Sequence, residues 1–211
     1  TYDLELDVVL GHQTMARRPD HVSMSPSGRH CVVSHERGDG GTRVWDRALQ
    51  RSRRLHAASE HSDLARGADG RDYYVIVDYD TDGQLVAIDL DSLSRTRLLA
   101  TYLDGSTTAY HVSARNLDRP GWVVVSTYAE EGPRQRLHGR VLAVELKPDP
   151  RVVELAQHRS RFTSYFTAPV ATSNRDLTRV AFNSNWGTGS EADMDVYIIE
   201  VPPALLQPAT R

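Results

Sequence analysis

Short apolar runs separated by turn signals follow one another along the chain, and their order recurs about four times. Each unit reads as strand, tight turn, strand, turn and strand, and the first three units add a fourth apolar segment. The units span approximately residues 20–57, 60–103, 109–159 and 167–205. A period of about 40 to 50 residues built from strands predicts a set of similar small sheets rather than one continuous sheet.

The turns between the runs have the composition of hairpin connections. Ser27-Gly28, Asp69-Gly70 and Pro120-Gly121 each separate two apolar runs, and such pairs favour tight β-turns. The second run of a unit, as at residues 73–77 and 122–125, is apolar without strict alternation. Such runs indicate strands that are covered on both faces.

These units predict an all-β protein, namely a β-propeller of about four four-stranded antiparallel blades that occupies residues 1–211 as a single domain. The fourth unit lacks a clear outer strand, while residues 4–10 alternate as an additional edge or closing strand should. That strand either closes a ring of four or belongs to a preceding blade. Since propellers have roughly four to eight blades, we expect an incomplete arc or half of a larger propeller. Thr1 at the first position indicates processing or a longer precursor.

Charge and composition exclude some classes of function. The formal net charge of -3 removes the basic surface expected of a nucleic-acid binder. No run approaches the roughly 18 to 20 apolar residues of a membrane-spanning helix. The only cysteine, Cys31, lies in an apolar run that predicts a buried strand position, and it leaves no internal disulfide. We expect an extracytoplasmic protein, either periplasmic or secreted.

Three histidines occupy equivalent places. His21, His61 and His111 each stand at the start of the first strand of a unit, and first strands line the central channel of a propeller. Converging imidazoles there predict either a divalent metal site for Mn, Zn or Fe, or an anion site when protonated. The alternative is a structural hydrogen-bonding role between blades. Asp63 is placed to orient the His61 ring.

Aromatic and arginine side chains cluster in the third and fourth units. Rings stack on sugar faces and guanidinium groups pair with uronate carboxylates, so these residues predict a site for an acidic sugar. The alternative is that the rings pack in the core and the arginines are solvated. Lys147 is the only lysine, so nearly all of the positive charge is carried by arginine. This bias either favours pairing with carboxylates or reflects a coding preference. The predicted ligand-binding residues are His21, His61, His111, His158, Arg159 and Tyr165, with Arg161, Phe162 and Phe166 beside them.

Three stretches carry a resemblance to known propellers: residues 21–28, the Glu60-His61 pair and residues 174–185. They resemble the later blades of oligogalacturonate-lyase-like β-propellers and, more loosely, TolB-type propellers. The resemblance implies a seven-bladed fold with a histidine-held manganese that cleaves uronate chains by β-elimination. This chain departs from that family where a His-Pro-His motif is expected, because it has Ala168-Pro169-Val170.

The first functional hypothesis is a binding or scaffold domain that presents a histidine-lined channel mouth. Its partner would be an anionic polysaccharide, another propeller segment or a protein subunit. The alternative is a lyase-like enzyme, with His111 or Tyr110 as base and Arg115 or Arg161 pairing the substrate carboxylate. A purely structural subunit of a larger assembly is the third. The sequence contains no nucleophile elbow, Walker loop or dinucleotide fingerprint.

Overall fold

A computed structural model describes residues 1–81, 83–100, 102–103 and 105–207. Within these residues the regular structure is antiparallel β-sheet with short 3-10 turns and no α-helix. The strands are β1 Tyr2–Asp3, β2 Val8–Val9, β3 His21–Met24, β4 His30–Ser34, β5 Thr42–Asp46, β6 Ser52–His56, β7 Ser62–Arg66, β8 Asp72–Asp78, β9 Gln84–Asp89, β10 Arg95–Ala100, β11 Tyr102–Leu103, β12 Ser106–Ser113, β13 Trp122–Glu131, β14 Arg140–Glu145, β15 Val152–Gln157, β16 Ala171–Ser173, β17 Arg179–Ser184 and β18 Asp195–Glu200. The 3-10 turns are Arg37–Asp39, Tyr165–Thr167, Glu191–Asp193 and Pro203–Leu206.

Four meandering sheets follow one another along the chain. Blade 1 has the order β3-β4-β5-β6, blade 2 has β7-β8-β9-β10, blade 3 has β11-β12-β13-β14-β15 and blade 4 has β16-β17-β18. The predicted all-β class and the predicted sheets are therefore confirmed, including the missing outer strand of the fourth unit. One strand differs in its assignment, because Tyr102–Leu103 pairs with β12 of blade 3 although the sequence placed it in the second unit.

Apolar side chains between the sheets form one cluster at each seam. Tyr74 and Ile76 of β8 pack towards Val32 of blade 1, whereas Val75 and Val77 of the same strand pack towards Val125 of blade 3. A third cluster joins blade 3 to blade 4. The middle strands are continuous apolar runs because each face meets a neighbouring blade.

The N-terminal segment corrects the prediction of a single strand over residues 4–10. Tyr2–Asp3 and Val8–Val9 form a small hairpin, and residues 4–7 form its turn. The Asp3 carboxylate accepts hydrogen bonds from the backbone N–H groups of Glu5 and Leu6 at 3.0 and 3.1 Å, and this local bonding competes with an extended strand. Arg47 of blade 1 forms an ion pair with Asp3, so the hairpin lies against blade 1.

The two terminal blades present exposed apolar side chains. Val22 and Met24 are exposed on blade 1, and Val196 and Ile198 are exposed on β18 of blade 4. Among the described strands, no pairing joins blade 4 to blade 1. The sheets therefore form an open arc rather than a ring closed by strand pairing, as the sequence predicted. No helix among the described residues is both long and apolar enough to cross a bilayer.

Candidate functional site

Two of the three aligned histidines come together on the inner side of blades 2 and 3. The ring centroids of His61 and His111 lie 4.3 Å apart. The Tyr128 ring of β13 stacks on His111 at 4.6 Å with an interplanar angle of 10°. Tyr128 also contacts Phe162 edge-on, with centroids 5.3 Å apart. The result is a continuous row of rings from blade 2 to the segment before blade 4.

Hydrogen bonds determine which nitrogen of the neutral His61 ring carries the proton. Its Nδ1 lies 3.0 Å from the Tyr110 carbonyl oxygen and 2.9 Å from the Tyr128 hydroxyl oxygen. A carbonyl can only accept, so Nδ1 carries the hydrogen. Burial lowers the pKa of His61, and burial together with the neighbouring His61 lowers the pKa of His111 to about 4. Both rings are therefore neutral at pH 7, which disfavours the predicted anion site.

His21 lies apart from this pair. It is exposed, and its Nε2 is 2.6 Å from the Ser23 hydroxyl oxygen. It lines a separate depression that also holds Asp63 and Arg115. Because His21 lies in this separate depression, the three aligned histidines do not offer their ring nitrogens to one point.

The three aligned histidines are not brought together as one group of ligand-type atoms in the part of the chain that the structure describes. Among the described residues, the one group of three ligand-type atoms lying within 4.8 Å of one another consists of His56, Asp78 and Asp80. These residues are compatible with a metal, but they are not the aligned histidines. Ala168 and Pro169, which stand where the family resemblance implies a His-Pro-His motif, are buried, and their side chains carry no atom that can bind a metal.

Asp63 has a different role from the one predicted. Its carboxylate accepts hydrogen bonds from the backbone N–H groups of Leu64 at 2.8 Å and Ala114 at 2.9 Å. Arg115 Nε lies 3.5 Å from the same carboxylate. Asp63 therefore ties blade 2 to the segment that follows β12, and no contact with the His61 ring is observed among the described residues.

The four candidate catalytic residues do not face one space. Tyr110 is fully buried, donates its hydroxyl hydrogen to the Ala100 carbonyl at 2.6 Å, and has a pKa raised by burial. His111 lies within the stacked rings, and Arg115 lies at the depression beside His21. Arg161 lines a different cavity, described next. A buried tyrosine with a raised pKa is a poor base at neutral pH.

A cavity of about 430 Å³ lies beside blade 3. Tyr128 and Glu130 of β13 line one side, and the segment after β15 supplies Arg159, Arg161 and Phe162. Arg134 completes the lining from the loop that joins β13 to β14. None of the three arginines is in an ion pair with a described residue, so their guanidinium groups are available to a ligand.

His158 holds the segment that lines this cavity. It is buried, its Nε2–H donates to the Thr127 carbonyl at 2.7 Å, and its Nδ1 accepts from the Ser160 backbone N–H at 2.9 Å. Burial lowers the pKa of His158 to about 4. With both ring nitrogens occupied, His158 positions the segment and has no nitrogen left for a ligand, unlike the direct contact that the sequence predicted.

Asn185 is the positioning residue that sequence reasoning missed. Its side chain is buried, its Oδ1 accepts from the Arg161 backbone N–H, and its Nδ2 donates to the Arg161 carbonyl, both at 2.9 Å. It lies in the polar segment 183–187. In the sequence this segment stands out only because it is polar and follows a buried strand. Polarity does not identify a hydrogen-bond partner 24 residues away.

Four aromatic rings at or near the cavity are exposed rather than packed in the core: Phe162 lines the cavity, whereas Tyr165, Phe166 and Trp186 lie on neighbouring segments. The exposed fractions are 41% for Phe162, 76% for Tyr165, 70% for Phe166 and 53% for Trp186. The Arg159 guanidinium carbon lies 5.5 Å from the Trp186 ring centroid. Trp186 in turn stacks on Tyr197 at 4.9 Å, which holds its ring in place. We call these four rings and Arg134, Arg159 and Arg161 the arginine–aromatic surface.

Comparison with solved structures places the fold among β-propellers. An oligogalacturonate lyase from Vibrio parahaemolyticus superposes with a TM-score of 0.54 at 15% identity, covering 84% of this chain and 47% of the lyase. An oligogalacturonate lyase in complex with manganese gives 0.50 at 13% identity, with 85% and 47% covered. TolB from Acinetobacter baumannii gives 0.52 at 10% identity, with 84% and 39% covered.

These likenesses define the class of protein, which is a propeller-like, all-β fold of the kind seen in oligogalacturonate lyases and TolB. At 10 to 15% identity they define the fold alone. The chain spans about half the length of the lyases that it resembles. Comparison with protein-family profiles and with curated proteins finds no match.

Proposed function

We propose that this protein is a propeller binding domain that holds an anionic, uronate-containing glycan on the arginine–aromatic surface. The observation that carries the proposal is that three arginines without an ion pair to any described residue line one cavity together with Phe162, with three further exposed rings nearby. Pyranose faces stack on aromatic rings, and guanidinium forks pair with carboxylates in bidentate geometry. The proposal includes an extracytoplasmic location, because such polymers are extracellular.

Binding fits this arrangement better than lyase chemistry. β-Elimination needs a base within hydrogen-bond reach of the substrate and a group that neutralises the uronate carboxylate. Arg161 faces the cavity, but Tyr110 is buried in the core and His111 is enclosed between two rings. We include no metal at the inner histidines, because His21 lies apart from His61 and His111 and the described group of three ligand-type atoms does not include them.

Removing the arginines is expected to weaken glycan binding strongly. In the Arg159→Ala/Arg161→Ala variant, affinity for polygalacturonate or alginate oligomers should fall at least tenfold, because each charge-assisted hydrogen bond contributes about 1.5–3 kcal/mol. Titration calorimetry in low salt measures the change. Arg175→Ala is the matched control, since Arg175 is exposed but already paired with Asp118 at 2.7 Å. Equal affinities of the double variant and the wild type, or no binding of either oligomer, would contradict the proposal.

A second candidate partner is a further propeller segment that covers the exposed terminal blades. The apolar faces at Val196 and Ile198 have the chemistry of the buried blade seams, and the lyases of this fold are about twice as long. Light scattering should therefore give a mass above one chain. The Val196→Asp/Ile198→Asp variant should return it to one chain, because charge opposes burial of that face. A wild-type mass of one chain with a cooperative melt argues against this partner.

A further inference from the structure

A second cluster lies away from the arginine–aromatic surface, at the seam between blades 1 and 2. It comprises His56 at the end of β6, Asp78 at the end of β8, and Asp80 in the turn that follows. One ligand-type atom from each lies within 4.8 Å of the others. His56 Nε2 and the nearer Asp80 carboxylate oxygen are 3.5 Å apart. The two blades therefore bring one imidazole and two carboxylates to one place.

One nitrogen of this imidazole, Nε2, lacks a hydrogen-bond partner among the described residues. His56 is 6% exposed, and its Nε2 is buried without a hydrogen bond among the described residues. A buried polar atom left unpaired costs free energy and calls for an explanation such as a bound ion. Asp78 is buried as well, whereas Asp80 is partly open to solvent through a depression that both line. An ion would have a path to the buried nitrogen.

The surrounding charges favour a divalent cation. Glu60 lies near both aspartates and near Glu36, and burial together with Asp80 raises the pKa of Glu60. Arg37 pairs with one oxygen of Asp80, and Arg95 pairs with one oxygen of Asp78. Arg54 lines the same depression, so four carboxylates against three guanidinium groups leave a surplus of one negative charge when all seven are ionised. The second oxygen of Asp80 lies towards His56 Nε2. The second oxygen of Asp78 accepts the Asp80 backbone N–H at 3.0 Å and keeps a further lone pair.

We propose that His56, Asp78 and Asp80 form a binding site for a divalent transition-metal cation that joins blade 1 to blade 2. An imidazole nitrogen with two carboxylate oxygens suits Mn²⁺, Fe²⁺ or Zn²⁺ better than Ca²⁺ or Mg²⁺. Two ligands held about 2.1 Å from a tetrahedral ion are about 3.4 Å apart, which matches the His56–Asp80 separation of 3.5 Å. The solvent-facing side leaves room for water as a further ligand.

Elemental analysis and calorimetry test this site directly. Chelator-treated protein titrated with MnCl₂ or ZnCl₂ is expected to bind one equivalent. At a concentration about a hundredfold above Kd, the ion should raise Tm by about 5 °C or more. His56→Ala and the more exposed Asp80→Asn should each lose that equivalent and the rise in Tm. The exposed His21→Ala is the control and should retain both.

Arg37→Ala separates a metal site from a cluster of ion pairs. Because the Arg37 guanidinium repels a cation beside Asp80, its removal should tighten metal binding at least threefold. If these residues form only a cluster of ion pairs, no stoichiometric metal binding is expected, and Arg37→Ala then only lowers the stability of the protein. Binding that survives both His56→Ala and Asp80→Asn, or that is lost on His61→Ala instead, would overturn the proposal. Glycan titrations report on the arginine–aromatic surface independently.

Discussion

Unfolding the protein at pH 4 is expected to require several kcal/mol less than unfolding it at pH 7. The pKa of His158 falls from 6.5 to about 4 in the folded state because the ring is buried. This shift alone corresponds to about 3 kcal/mol. Burial also lowers the pKa of His111 to about 4, and it lowers the pKa values of His56 and His61.

The sign follows from proton uptake. Between pH 6.5 and 4 the unfolded chain binds protons at these histidines and the folded chain does not, so stability falls as the pH falls through that window. Urea unfolding at several pH values measures the slope. His158→Asn should be less stable at pH 7 but should show a shallower slope, by up to about 1.4 kcal/mol per pH unit. Exposed His21→Ala should keep the wild-type slope, and a flat wild-type profile would contradict the burial argument.

The Asp72→Ala variant is expected to lose about 3 kcal/mol of unfolding free energy. Asp72 is buried, accepts from Arg66 Nη1 at 2.8 Å and from the backbone N–H of Ser27 at 3.4 Å, and is hydrogen-bonded to the Ser27 hydroxyl. Burial acts to raise its pKa, but these donors outweigh burial and the pKa is lowered. The ionised carboxylate therefore joins blade 2 to blade 1, and its removal takes the shared acceptor away from Arg66 and Ser27.

Asp91→Ala is the matched control for Asp72. Asp91 also receives an arginine from blade 1, since Arg29 Nη2 lies 2.9 Å from its carboxylate, but both side chains are exposed. Exposed pairs contribute about 0 to 1 kcal/mol, so this variant should change the urea midpoint little. If both variants lost the same unfolding free energy, burial of the Asp72 carboxylate would not determine how much that residue contributes to stability.

The sheets could be predicted from sequence because their signals are local. A turn pair and an apolar run lie within one hairpin, as at Asp69-Gly70 before residues 73–77. The hairpin at residues 2–9 could not be predicted from alternation, because the Asp3 carboxylate bonds two nearby backbone groups instead.

The candidate site was predictable only in part. The cluster of rings and arginines is close in sequence, so its composition was visible. The contacts that arrange it are distant: Asp63 bonds Ala114 across 51 residues, and Asn185 bonds Arg161 across 24. Equivalent positions in successive units also did not guarantee convergence, since His21 lies apart while the rings of His61 and His111 are in contact.

The open arc has a consequence for the proposed ligand. Blades 2 and 3 each pack against a neighbouring blade on both faces, whereas blades 1 and 4 each pack against one. In such a linear array, local opening begins at the ends and costs less there than in the middle. Trp186 and the segment before β16 belong to the weakly supported end. A sugar chain in contact with both Tyr128 of blade 3 and Trp186 of blade 4 would therefore oppose local opening of blade 4.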